Sequence, residues 1–416
     1  MQRELARNTD AFIARIWQMA YAASDILVRV NSSLDSSAQA DIECFGSLLT
    51  QLYQFGTNIE YVSRGSVALA NLKVDAISNL VRVAYYDPDA NRDQLTQLVR
   101  VNSSTLQYLD ISSLDLATFT DLVKCEDGDY TTYPCLHDLE LDLKTRWDIS
   151  NTPVFEGVVP FPKLRRLYIV RAYPFGDDTL FRGNAGTLEH LQFQPTSQAV
   201  DMLRQHGVFR PASHPNLYSV KIDCGHFRTE ELPGSDMHLD YMLSIAPKAT
   251  VWNMPDCVRD DSTCSILGLL GTHTNLQHLF LPSMVLGLTD VVTLIKSLPL
   301  LSDLYVDYPR LDVVPDGVPS DELPSYMIST YAPMGERFRS WHCACFYKWR
   351  ASDEEIAKCI LLLALVCPNF NKASVSSDAQ KALMDAMRKA VNSAGFERHA
   401  WQLRHMHLDR LDMTKC

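Results

Sequence analysis

Long apolar runs are missing from this chain. The longest, Ile360 to Val366 between Cys359 and Cys367, is too short to cross a bilayer, so no membrane role is expected. The opening residues, Met1-Gln2-Arg3-Glu4, lead into an amphipathic pattern without the apolar core of a secretory leader. Gln2 stands where myristoylation needs glycine, and Cys416 is the last residue rather than the fourth from the end, where prenylation needs a cysteine. An excess of positive charge is absent too. Lys and Arg number 38 against 50 Asp and Glu, a net charge of −12, which weighs against a non-specific grip on nucleic acid or an anionic membrane. A disulfide framework is not expected: the eleven cysteines are odd in number and scattered, and in a chain without a leader they read as reduced, mostly buried thiols. The Asn-Ser-Ser triplets at Asn31 and Asn102 then carry no glycan. A cytoplasmic or nuclear protein is expected.

The motifs of catalysis are also lacking. No Gly-x-Ser-x-Gly elbow and no phosphate-cradling Gly-x-x-x-x-Gly-Lys-Ser/Thr loop occurs. His342-Cys343-Ala344-Cys345 is the best metal candidate, but its cysteines are spaced by one residue and no second ligand pair stands at metal spacing. Cys224-Gly225-His226 and the group His399, His405 and His407 lack a second pair as well. Phe175-Gly176-Asp177-Asp178 reads as a turn and helix cap, and the basic run Lys163-Leu164-Arg165-Arg166 is too short for a nucleic-acid patch. No catalytic residue, metal or cofactor is expected, and the chain is not read as an enzyme.

What is present is one short phrase, repeated. Leu106 to Ile111 (LQYLDI) has the form apolar-x-x-apolar-x-apolar, and Leu136 to Leu141 (LHDLEL), Leu164 to Ile169 (LRRLYI) and Leu188 to Phe193 (LEHLQF) share it. It returns at Leu217 to Ile222, Leu276 to Leu281 and Leu301 to Val306, with looser copies at Leu80 to Tyr85 and Phe338 to Cys343. The steps between first residues are 26, 30, 28, 24 and 29, then a gap of 59 that holds one blurred copy, then 25 and 37. A period of about 20–29 residues carrying this phrase marks a leucine-rich-repeat solenoid. The expected fold is therefore α/β: an irregular solenoid with a parallel sheet on its concave face, helices on its convex face and helical caps. Residues 1–78 are read as an N-terminal helical cap with degenerate repeats, 79–345 as the solenoid and 346–416 as a three-helix C-terminal cap, because arrays need their end faces covered.

Helices are expected over 9–23, 40–55, 92–101, 115–124, 197–206, 238–246, 262–270 and 288–297, and in the tail over 352–367, 377–393 and 396–410. Asp115, Ser197, Thr289 and Ser352 sit at the starts of four of them, as capping residues do. Pro134, Pro162, Pro215 and Pro299 precede strand phrases and help end the segment before each. The stretch 309–335, with five prolines, reads as a long loop. The ninth position of the phrase, where the common repeat carries Asn or Cys, holds Leu114, Lys144, Ala172, Thr196, Gly225, Met284 and Pro309. No asparagine ladder is expected there.

Alternation along a strand points the fourth and sixth residues of the phrase inward and the third, fifth and seventh outward. The outward residues singled out for binding are Tyr108, Asp110, Asp138, Glu140, Arg166, Tyr168, His190, Lys221, His278, Phe280, Asp303 and Tyr305. Exposed aromatics and arginine on one sheet fit a protein-binding surface, and the acid groups Asp138, Glu140, Asp142 and Asp303, Asp307 favour a basic partner. The expected function is that of a non-catalytic module, monomeric, that recognises a protein partner and neither nucleic acid nor membrane.

Several blocks go further: VPFPKLRRLYIVRAYPFGDDTLFRGNAGTLEHL (159–191), SHPNLYSVKI (213–222), SLPLLSDLYV (297–306), ERFRSWH (336–342) and LLLALVCPNF (361–370). In these the chain resembles a large paralogous family of uncharacterised leucine-rich-repeat proteins of early-diverging fungi, often with an F-box-like N-terminus. The resemblance implies a substrate receptor of an SCF-type ubiquitin ligase. Residues 1–60 show no Leu-Pro opening of an F-box, so a stand-alone scaffold or decoy receptor without a ligase link is the alternative.

Overall fold

A computed structural model describes residues 27–30, 59–63, 74–86, 92–124, 127–143, 158–170, 179–193, 214–222, 246, 248–253, 270–271, 273–310, 318–319, 321–343, 352–370, 372–375, 380–392, 396 and 399. Two units, Met1–Val208 and Phe209–Cys416, are described in turn. In both, the repeated phrase becomes a strand, and consecutive strands pair in parallel.

In the first unit the strands are β1 (Leu27–Val30), β2 (Ile59–Ser63), β3 (Leu80–Tyr85), β4 (Tyr108–Leu114), β5 (Asp138–Leu143), β6 (Arg166–Val170) and β7 (His190–Phe193). Each pairs with the next, and third positions face third positions: Arg82 with Tyr108, Tyr108 with Asp138, Asp138 with Arg166, Arg166 with His190. The pairing continues upstream through β2 and β1, ahead of residue 79. The crossovers are helical where described: α1 (Arg92–Val101), α2 (Leu116–Val123) and the short α3 (Thr179–Gly183). Asp115 caps α2 through Oδ1, which accepts from the Thr118 N–H at 2.6 Å. Arg92 on α1 is paired with Asp121 on α2.

In the second unit the strands are β8 (Ser219–Ile222), β9 (Val251–Asn253), β10 (His278–Gly287), β11 (Asp303–Arg310), β12 (Ser340–Cys343) and β13 (Lys372–Val375). Third positions again align, from Ser219 with Val251 through to Ser340 with Lys372. β9 is the blurred copy, Ala249 to Met254, and it divides the long gap into two ordinary steps. β13 belongs to a copy beyond residue 345, Phe370 to Val375.

The helices here are α4 (Leu288–Ser297), α5 (Leu323–Tyr331), α6 (Asp353–Val366) and α7 (Gln380–Val391). Ser352 and Glu355 close a capping box on α6: Ser352 Oγ accepts from the Glu355 N–H at 3.3 Å, and Glu355 Oε2 accepts from the Ser352 N–H at 2.8 Å. α6 packs between α5 and α7, and Ile356, Ala357 and Cys359 to Ala364 are buried. Burial raises the Cys359 thiol pKa and pushes that of Cys367 up to about 12, so both are packing groups.

The phrase's inward positions form the core. First residues such as Leu106, Leu136, Leu164, Leu217, Leu276 and Leu301 are buried, as are the fourth residues Leu109, Leu139, Leu167, Leu191, Val220, Leu279 and Leu304. Trp252 and Trp341 fill the fourth position in β9 and β12. The prolines act as turn formers. The carbonyls of Tyr133, Phe161, His214 and Leu298 accept from the N–H groups of Leu136, Leu164, Leu217 and Leu301 at 3.2, 3.3, 3.1 and 3.0 Å. This places Pro134, Pro162, Pro215 and Pro299 at the second turn residue, where a fixed φ is an advantage. Two copies without that proline use asparagine instead. Buried Asn102 accepts from the Leu80 N–H at 2.8 Å and donates to the carbonyls of Ile77 and Leu98 at 2.9 and 2.8 Å. Asn184 donates to the Leu180 carbonyl at 2.7 Å.

The structure corrects the reading of 309–335 as a long loop. β11 runs to Arg310, and α5 occupies Leu323–Tyr331. Pro324 lies in the first turn of α5, where a missing N–H costs nothing, and Leu323, Pro324 and Met327 are buried. Of the three helices expected in the tail, α6 and α7 form two, and β13 lies between them. The helices expected over 9–23, 40–55 and 197–206 lie outside the described residues, and those over 238–246, 262–270 and 396–410 almost wholly so.

Replacing Leu167 by Ala should destabilise the protein by about 2–5 kcal/mol, as for a buried leucine. Replacing its neighbour Arg166, whose side chain is 52% exposed, should cost about 0.5 kcal/mol or less. Urea melts of the two variants check this; equal losses would mean that the inward and outward assignments are wrong.

Candidate partner-binding face

Register brings the outward residues of each unit together. In the first unit, β3 to β6 carry a compact polar group. Asp110 and Glu140 face each other across β4 and β5. Tyr86 Oη donates to Asp110 Oδ2 at 2.9 Å, and Tyr108 Oη lies 3.5 Å from the same oxygen and 3.3 Å from Glu140 Oε2. The Arg82 guanidinium sits over the Tyr108 ring, 4.2 Å from its centroid. One strand along, Arg166 Nε approaches Asp138 Oδ1 at 3.6 Å, and Tyr168 stands in register with Glu140. His190 follows on β7, half-buried.

The electrostatics follow from burial. Asp110 is only 5% exposed, and burial raises its pKa above the usual carboxylate range against the opposing pull of Tyr86, Arg82 and Tyr108. Burial, then the charge of Asp110, raises Glu140 in the same direction. Tyr86 and Tyr108 are both raised, first by burial and then by Asp110. Burial and the charge of Arg166 lower the His190 pKa.

In the second unit the centre is Asp303. His278 Nδ1 meets Asp303 Oδ2 at 2.8 Å, and Ser302 Oγ donates to the same oxygen at 2.6 Å. Burial works against ionisation of Asp303, but the hydrogen bonds from His278, Ser302 and Ser340 outweigh it and hold the pKa well below the usual range. Beside this group the Phe280 and Tyr305 rings lie side by side, centroids 5.9 Å apart at 35°. Lys221 lies on β8, half-buried.

All twelve candidates thus sit at outward positions, seven in the first unit and five in the second. One differs from expectation: Asp110 is buried rather than open, because Tyr86 and Tyr108 close over it, so it can position neighbours but offers little area for contact. The sequence reading missed Arg82 and Tyr86. Extending the outward rows to the looser copy at Leu80 places them at its third and seventh positions. It also missed Ser302 and Ser340, which brace Asp303. Among the described residues no group of three or more His, Cys, Asp or Glu side chains is arranged to hold a metal ion, and no helix is long and apolar enough to cross a membrane.

No family model and no curated protein matches the chain. Among solved structures, the chain is similar to a chain of the crystal structure of the Rad7 and Elc1 complex in yeast. The identity is 13% over 91% of this chain and 93% of that one, with a TM-score of 0.38.

Asp303→Asn tests the second group. Because the folded-state pKa of Asp303 is depressed, its contribution to stability is present above the ordinary carboxylate pKa and is lost as pH falls through the folded value. Wild type should therefore be the more stable protein at neutral pH, and the gap should close in strong acid. Denaturant midpoints measured across that range check it; a gap that stays constant with pH would contradict the assignment.

Proposed function

We propose that this protein is a leucine-rich-repeat protein that works by binding a protein partner on the outward side of its sheet, without catalysis. The observation that carries this reading is the fixed placement of large aromatic and arginine side chains at outward positions of the paired strands: Tyr108, Arg166 and Tyr168 in one unit, Phe280 and Tyr305 in the other. Aromatic and arginine side chains supply most binding energy at protein interfaces. Here their neighbours already hold several of them: Arg82 and two carboxylates hold Tyr108, and Tyr305 lies against Phe280. Little ordering entropy is then lost on docking. The carboxylates Asp138, Glu140 and Asp142 lie on one strand and favour a partner with basic side chains, captured faster at low salt.

The finer role follows from the sequence resemblance to F-box-like repeat proteins: the substrate receptor of an SCF-type ubiquitin ligase. The same experiment addresses both levels. The full chain is used to capture partners from cells of its source, alongside Tyr168→Ala, Tyr305→Ala and a control on the helix side, Gln97→Ala, each first shown to fold by its melting curve. Loss of a hot-spot aromatic should weaken the captured partner's affinity by about tenfold or more, and the control should leave it unchanged. Equal retention by all four proteins would move the site off the sheet face. Co-capture of a ligase adaptor and cullin supports the receptor role; a partner captured without them supports the stand-alone scaffold.

A further inference from the structure

The group at the centre of β3 to β5 has more carboxylate oxygens than protons to serve them. Asp110 and Glu140 stand directly opposite on neighbouring strands, a pairing that is unfavourable when both are charged. Asp110 is 5% exposed and Glu140 half-buried, so water screens them poorly. Two hydroxyls reach them. Tyr86 donates its proton to Asp110. Tyr108 has one proton and lies almost equally far from Asp110 Oδ2 and Glu140 Oε2, 3.5 and 3.3 Å, so it can serve one carboxylate at a time.

The remaining described neighbours bring charge of both signs. From β3 comes Arg82, whose guanidinium lies over the Tyr108 ring. From β5 itself come Asp138 and Asp142, and Asp142 adds to the repulsion on both carboxyls. From β6 come Tyr168 and Arg166, the latter drawn to Asp138. The Arg82 guanidinium acts on both Asp110 and Glu140.

We propose that Asp110 and Glu140 are a proton-linked pair: the folded protein takes up a solvent proton between the two strands, and this proton sets the charge of the outward face. The directions found for both carboxyls agree with that: burial raises both, and the charge of Asp110 raises Glu140 further. This inference does not need the face to bind a partner. It does imply that, if a basic partner docks there, docking opposes the proton and strengthens as pH rises.

The sign of the stability effect is fixed by linkage. A carboxyl with a raised folded-state pKa binds more protons folded than unfolded. Stability is then fully present at and below the ordinary carboxylate pKa and is lost as pH rises through the pair's folded pKa. The test uses the full chain, as wild type, Asp110→Asn and Glu140→Gln. Urea midpoints are measured from acid to neutral pH. A second measurement, infrared spectroscopy, looks for the carbonyl band of a protonated carboxyl at a pH where exposed carboxylates are ionised. The wild-type folding constant should fall by about tenfold for each unit of upward pKa shift, and Glu140→Gln should lose that dependence and be the more stable protein at neutral pH. The carbonyl band should be present in wild type and lost in Glu140→Gln. A wild type with no band, and with the same pH dependence as Glu140→Gln, would overturn the proposal. Should Asp110→Asn not fold, the Glu140→Gln comparison decides alone.

Discussion

The carbonyl at the second position of each strand phrase is the constraint on which the rest depends. Gln107 O accepts from the N–H groups of both His137 and Asp138, at 2.9 and 3.1 Å; His137 O does the same for Arg165 and Arg166, and Gln277 O for Ser302 and Asp303. Each such pair locks one copy to the next in parallel and in register. A slip of one residue would turn every fourth- and sixth-position side chain out to water and bring charged third- and fifth-position residues into the core. The alternation of one strand is thereby imposed on its neighbours, and rows of outward residues exist because of it.

Much of this was legible because the phrase is a burial pattern first and a strand second. Leu139, Leu167 and Leu191 recur at one position because only an apolar side chain fits there, and the same pattern survives in β9 and β13 with Trp252 and Ala373 in that place. Those two copies were harder to see because alanine and phenylalanine replace leucine at the first position, in Ala249 and Phe370. α5 was hidden by its own proline, since Pro324 marks a helix start and not a loop. The buried asparagines were hidden for a different reason. Asn102 and Asn184 bond to backbone groups, Asn102 across to the preceding strand start, and no local spacing announces such partners.

The candidate face shows the limit of reasoning from alternation alone. Alternation assigns a direction to a side chain but not its depth. Asp110 points outward and is nonetheless buried, because Tyr86, just past the end of β3, and Tyr108, on β4 itself, fold over it. The two units solve the same problem in opposite ways. In one, clustered carboxyls are held at an electrostatic cost, and their pKa values rise. In the other, Asp303 collects enough donors to keep its charge, and its pKa falls.

Site-resolved thiol labelling of the native protein tests the central claim, that alternation locked by register sorts the chain into a core and an outward face. Single cysteines placed one at a time along β5, as Asp138→Cys, Leu139→Cys, Glu140→Cys and Leu141→Cys, can be read by peptide mass spectrometry, which separates them from the native thiols. The account predicts labelling at the first and third of these and protection at the second and fourth, since Leu139 and Leu141 are buried and Asp138 and Glu140 are not. Labelling at equal rates along the four positions would contradict it.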